Sequence, residues 1–205
     1  MFIPTRYKIT DVNEIKDFID THSFGTVVTT DKGKPIASHV PLMLRQMGDH
    51  DYITGHVAYA NPLWKALEAH DGQVLVMFQG PHAYISSSWY KEEEVPTWNY
   101  QSVHVYGTAS LMNAEELEED LILLLKKYEQ HRENGVLWDK LSAQTQKQIR
   151  GIVGFKIKIE DIQAAYKLSQ NRHEEDYRHI IENLYEEDDV NAQQRADIMK
   201  QRGDF

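Results

Sequence analysis

The chain has no cysteine among its 205 residues, which removes disulfides, zinc–thiolate sites and thiol catalysis. That absence agrees with a reducing compartment. No apolar run approaches the roughly 18 residues a membrane span needs. The first ten residues, MFIPTRYKIT, lack the apolar core and cleavage site of a signal peptide, so a cytoplasmic protein is expected. Basic residues are also scarce. Lys and Arg number 22 against 32 Asp and Glu, a formal charge of −10. A nucleic-acid binder usually carries a basic face. Here the densest basic run, Lys126-Lys127 with His131 and Arg132, is interleaved with Glu129 and Glu133. Charge disfavours direct DNA binding, leaving it only a patch assembled in three dimensions or across a dimer. Catalytic signatures are missing too. DKGKP lacks the phosphate-loop spacing, Gly25 lacks the dinucleotide glycine pattern, and no Gly-x-Ser-x-Gly elbow occurs. Ten histidines include no His-x-His pair and no His-Glu-x-x-His helix, so no metal site is expected.

What is present suits an ordinary globular protein, with 41% hydrophobic and 26% charged residues, enough to bury a substantial core. Asp11-x-x-Glu14 reads as a capping box, and Val12, Ile15, Phe18 and Ile19 follow at helical spacing over residues 11–21. FGTVVTT, the turn DKGK and PIASHVPLML read as a hairpin, with Gly33 relieving the turn. YITGHVA is a further strand. Asn61-Pro62 opens a short helix that Gly72 closes. QVLVMFQG is an apolar strand, and HAYISSSWY follows it. After the charged KEEE loop comes the long strand VPTWNYQSVHVYG. Asn113-x-x-Glu116 opens another helix, with Leu117, Leu121, Leu124, Leu125 and Tyr128 as its apolar stripe. A short helix over about residues 142–150 precedes IVGFKIKIE, whose strict alternation marks a half-exposed antiparallel strand. Residues 172–187 suit a helix, and the acidic stretch to residue 205 reads as an arm or frayed tail.

Six or seven strands with short helices between hairpins favour antiparallel pairing and a closed or split β-barrel, mainly β with peripheral helices. We expect a domain over residues 1–168, with residues 169–205 as a packed helical and acidic extension.

Two places could hold chemistry. The first is GHVAYANPLWK, a strand end leading into a helix start, where free backbone N–H groups suit an anion and His56 and Lys65 add positive charge. Asn-Pro starts are common, and the plainer reading, a mere helix start with a solvated lysine, carries more weight. The second is the strand at residues 95–107. Successive residues point to opposite faces, so Trp98, Tyr100, Ser102, His104 and Tyr106 share one side and Val103 and Val105 the other. Spacing alone favours packing for such a stripe. His104 fits a core histidine, an axial haem ligand or a proton donor. Ser86 and Trp89, beside the same sheet, would suit a planar heteroaromatic carrying a phosphate.

GKPIASHVPL, GHVAYANPLWK, VLVMFQGPHAYISSSWY, VPTWNYQSVHVYG and IVGF, in this order, resemble the PaiB family of FMN-binding negative transcriptional regulators, and KLSQNR resembles that family's C-terminal signature. The resemblance implies a split β-barrel related to pyridoxamine-phosphate oxidases, a homodimer with FMN at the subunit interface, and repression of protease synthesis and sporulation. It implies His39, Trp98 and His104 beside the flavin ring, then Tyr84, Ser86 and Trp89. The phosphate falls to the segment from His56 through Asn61 to Lys65, where the expected arginine is missing. Three alternatives stay open: an FMN-dependent oxidoreductase or flavin reductase, a haem-binding split barrel using His104 or His39, and a module that binds a protein partner.

Overall fold

The computed structural model describes residues 1–69 and 73–203; the helix end read at Gly72 lies outside the described residues. In chain order the elements are β1 (Lys8–Ile9), α1 (Val12–Thr21), β2 (Phe24–Asp31), β3 (Lys34–Met47), β4 (His50–Ala58), α2 (Leu63–Ala69), β5 (Gln73–Ile85), β6 (Thr97–Leu111), α3 (Ala114–Glu129), α4 (Ala143–Gln146), β7 (Ile152–Lys167), α5 (Glu174–Glu186) and α6 (Val190–Arg202). The strands join in the order β1-β7-β4-β3-β2-β5-β6, and β6 pairs with β7 as well, which closes the order on itself. The mainly antiparallel β class with flanking helices is therefore observed. QVLVMFQG and the first four residues of HAYISSSWY, read as separate stretches, form the single strand β5.

Local chemistry explains the first hairpin. Asp31 pairs with Lys34 across a two-residue loop, and Lys32 and Gly33 both take positive φ, at 50° and 81°. That turn has the twist the flanking strands need, and glycine adopts it without strain.

The described residues form two compact units. One comprises Ile19–Phe78 and Val105–Ile162. Within it β3 pairs with both β2 and β4, β4 with β7, and β2 with β5. Val27, Leu42, Ile53, Val76, Phe78, Val105, Phe155 and Ile157 are fully buried there. α3 opens on the expected capping box between Asn113 and Glu116. Its inner side carries a carboxylate as well as leucine: Asp120 is buried and accepts from Arg45 Nη1 at 3.0 Å.

The other unit comprises Met1–Phe18, Gln79–His104 and the described chain from Gln163 onward. Here β1 pairs with the end of β7, Lys8 opposite Ala165. The KLSQNR segment is a clasp. Lys167 bonds Thr97, Ser169 exchanges hydrogen bonds with Asn99, and Gln170 Nε2 donates to Tyr166 O at 2.7 Å. Asn171 accepts from Tyr7, and Arg172 pairs with Glu94 while lying 4.3 Å over the Tyr90 ring. The stretch read as an arm or frayed tail contains α6, which buries Ala192, Arg195, Ala196 and Met199. Its composition conceals this, because two of the four buried residues are alanines and one is charged. α5 and α6 are tied by Tyr177 Oη donating to Met199 O at 2.8 Å and Tyr185 Oη to Asp197 Oδ1 at 2.7 Å.

Gly107 on β6 has no room for a side chain: a Cβ there would stand 2.0 Å from the Lys158 carbonyl oxygen of β7. Gly107→Ala is expected to destabilise the protein by about 3 kcal/mol or more, since backbone rather than a movable side chain must yield. Gly151→Ala, where nothing lies within 4 Å, is expected to be near neutral. Urea unfolding of both variants checks this, and comparable loss in the two would refute the close crossing.

Candidate functional site

Strand alternation gives β6 two different faces. Asn99, Gln101, Val103 and Val105 are buried, while Tyr100, Ser102, His104 and Tyr106 are half-buried and Trp98 is 52% exposed. The aromatic side is thus the open one. Within one chain this side is less covered than the other, and the sealed side begins with two amides in place of an apolar run. Alternation defines two faces without saying which one the rest of the chain covers.

Near the start of that strand, Trp98 is the centre of an exposed aromatic cluster. Tyr84, on β5, meets it edge-on with ring centroids 5.8 Å apart and planes at 68°. His82, also on β5, lies 6.0 Å from it on the same ring system. Tyr84 is 48% exposed, and His82 is exposed as well. Sequence reasoning missed His82; its position two residues before Tyr84 on one strand face was the available signal. His104 is half-buried, its Nδ1 is buried with no hydrogen-bond partner, and burial holds its pKa below the ordinary histidine value. Ser86 is occupied locally. Its Oγ accepts from Ser88 N at 3.2 Å and caps the 3-10 turn Ser87–Trp89, in which Trp89 is half-buried.

The remaining candidates lie in the unit built on β2, β3 and β4. His39 is exposed on β3 and stacks on the exposed Phe24 ring, centroids 6.2 Å apart and planes at 23°. Asn61 caps α2: its Oδ1 accepts from Leu63 N at 2.9 Å, while its Nδ2 donates to Ser38 Oγ at 3.1 Å. Lys65 is exposed with its ammonium 5.4 Å from the Trp64 ring centroid. Trp64 is itself fixed by donating Nε1–H to Tyr59 O at 2.8 Å. His56 is half-buried on β4, and burial lowers its pKa against the opposing pull of the Asp120 carboxylate. It therefore stands as a neutral imidazole at neutral pH, a hydrogen-bonding group more than a cation.

The structure thus brings Trp98 and Tyr84 together with His82, and Asn61 together with Ser38. An open groove beside α5 and α6, lined by Tyr177, Ile181, Tyr185 and Lys200, contains none of the residues expected from sequence. Among the described residues no three His, Asp or Glu side chains converge to hold a metal ion. No described helix is long and apolar enough to cross a membrane.

Comparison with known proteins adds the following. A family model described as "Putative FMN-binding domain" matches residues 1–161. The chain is 59% identical over 203 residues, 98% of each sequence, to the "Protease synthase and sporulation protein PAI 2" of Bacillus subtilis strain 168. Two solved structures share the fold at low identity. One is the FAD and heme binding protein from Mycobacterium smegmatis, with a TM-score of 0.61 at 18% identity, covering 78% of this chain and 73% of that one. The other is the flavocytochrome Anf3 from Azotobacter vinelandii, with a TM-score of 0.61 at 21% identity, covering 84% and 75%.

Both histidine shifts have a consequence for stability. An unfolded histidine takes up its proton near pH 6.5, and folded His56 and His104 do so only at lower pH. The unfolded chain therefore binds more protons below about pH 6.5, and folding stability should fall with acidification there. Proton NMR titration is expected to give midpoints below 6.5 for both residues, and His56→Gln or His104→Gln to flatten the pH dependence of the urea midpoint. A midpoint at or above 6.5 for either residue would contradict its buried setting.

Proposed function

This chain belongs to the PaiB family of FMN-binding proteins, and on that premise we propose that it is a cytoplasmic, flavin-responsive negative regulator of protease synthesis and sporulation. The observation that carries the flavin reading is the exposed aromatic face of β6. A half-exposed tryptophan flanked by an exposed tyrosine and histidine is an apolar, polarizable surface of the kind a flat heteroaromatic covers. His104, on the same strand face, has a buried ring nitrogen without a partner, which suits the polar edge of an isoalloxazine. We assign Trp98, Tyr84 and His104 to the ring, with Ser86 and Trp89 shaping the adjoining turn.

His39, His56, Asn61 and Lys65 are assigned to the polar end of the cofactor. Lys65 is the cation of this group and His56 a neutral donor or acceptor. Homodimerisation would let the two groups come from different protomers. Bound FMN supplies reversible acceptance of electrons, while the protein supplies stacking, orientation and exclusion of water. Repression is assigned to a protein partner, because a formal charge of −10 opposes the phosphate backbone of DNA.

The purified protein, mixed with FMN and freed of excess on a sizing column, is expected to retain absorbance near about 375 and 450 nm at dimer size. Trp98→Ala should weaken retention by about tenfold or more, the usual cost of deleting an aromatic anchor. Lys65→Ala should weaken FMN more than riboflavin, which has no phosphate. Failure to retain FMN would remove the flavin reading. Rapid oxidation of NAD(P)H by the loaded protein would favour an oxidoreductase.

A further inference from the structure

α3 is apolar on more sides than the chain covers. Residues 121–125 read Leu-Ile-Leu-Leu-Leu, and five consecutive helical positions go right round the axis. The core takes one side, through buried Leu117 and Asp120. Leu121, Leu124 and Leu125 are half-buried, while Ile122 and Leu123 remain 40% and 39% exposed. The segment that follows adds to this surface. From Leu121 to Val153 no residue is buried, although Val136, Leu137, Trp138, Leu141 and Ile149 lie in it. Trp138 Nε1 donates to Glu118 Oε1 at 3.0 Å, which ties the segment to the helix. Apolar residues grouped in this way mark a contact face.

The pattern of charge around Ile122 and Leu123 points to the occupant. Glu115, Glu119, Ile122, Leu123, Lys126 and Gln130 are all exposed, and at these spacings they share one helix face. Their order reads the same from either end: an acid or amide outermost, a charge inside it, an aliphatic residue at the centre. A second copy turned about a two-fold axis between Ile122 and Leu123 would bring Ile122 of one chain against Leu123 of the other. Glu119 would then face Lys126, and Glu115 would face Gln130, twice over by symmetry. The neighbouring row repeats the sense, Glu118 opposite Lys127, although these two already hold Trp138 and Asp20. Antiparallel helices also oppose their dipoles favourably. A nucleic acid or an anionic membrane would instead meet the three glutamates of the same face.

We propose that α3 is a self-association surface, on which a second copy of this chain packs its own α3 antiparallel, Ile122 against Leu123 and Glu119 against Lys126. This contact rests on the homodimer reading above and gives it a location. None of the residues assigned to the flavin lies on α3.

The test is sedimentation equilibrium of the full-length protein, with and without FMN. Lys126→Glu and Glu119→Lys each turn two attractive pairs per dimer into two repulsive ones, and each is expected to raise the dimer dissociation constant about tenfold or more. The variant carrying both changes restores the pairs and is expected to return to within about threefold of wild type. Ile122→Asp is expected to be monomeric where wild type is dimeric. If Ile122→Asp does not fold, the charge exchange decides the matter, since both of its positions are exposed. Single losses that the double exchange fails to recover would overturn the antiparallel pairing. A dimer indifferent to every variant would overturn the α3 contact and leave the homodimer to another face. A wild type that stays monomeric would overturn both, while retention of FMN decides the flavin reading separately.

Discussion

The pairing of β6 with β7 is the constraint on which the remaining architecture depends. Without it the order β1-β7-β4-β3-β2-β5-β6 would end in an open strand with unpaired backbone groups. Closure supplies those partners from within the sheet, and it demands close approach. Gly107 meets the Lys158 carbonyl so tightly that only hydrogen fits. Near the other ends of these strands a side-chain bond joins them, from the Lys167 ammonium to the Thr97 hydroxyl. Strand closure thus rests on one absent side chain and on polar contacts, as well as on buried valine and isoleucine.

Closure also fixes what each face of β6 can do. A strand with a neighbour on either side can vary only across its two faces, and here the faces diverge. One side descends into buried Asn99, Gln101 and Val103. The other leaves Trp98 half in water with Tyr84 and His82 around it. A soluble protein can expose isolated aromatics at little cost, but a contiguous group marks a surface meant to be covered. The buried amides have a different role. α6 offers mainly alanine and methionine for burial, too little apolar area to hold a helix by itself. Its seating relies on directed bonds from Arg195 to Gln101 and from Tyr177 to Met199, which specify position more sharply than apolar contact would.

Much of this was legible where the signal is local. The DKGK turn, the Asn113–Glu116 capping box and the alternation of IVGFKIKIE each depend on residues a few positions apart, and each appears where the sequence puts it. What escaped depends on distant partners. Asp120 looks like a solvent-facing break in a leucine stripe until Arg45 is seen beside it. Arg195 looks like one more charge in a polar tail until Gln101 meets it. The aromatic stripe was visible, yet the sequence holds no mark of which side is covered. The residues suggested for a cofactor were legible as types, while the burial that lowers the pKa of His56 is revealed only by the fold.

The charge balance then limits what surface the protein can offer a nucleic acid. Binding DNA through its backbone would require concentrated cations to replace counterions. Of the conspicuous cations here, Arg45, Lys127, Lys156, Arg172 and Arg202 are already paired with carboxylates, and Arg195 is enclosed. Lys65, exposed beside Trp64, stands outside these ion pairs, as do the exposed Lys32, Lys34, Lys126, Lys147 and Arg150, which are scattered among acidic residues along the chain. The excess of 32 acidic over 22 basic residues, more than the pairing of any one cation, is what opposes a nucleic-acid surface, because each exposed lysine shares its neighbourhood with carboxylates that repel the phosphate backbone.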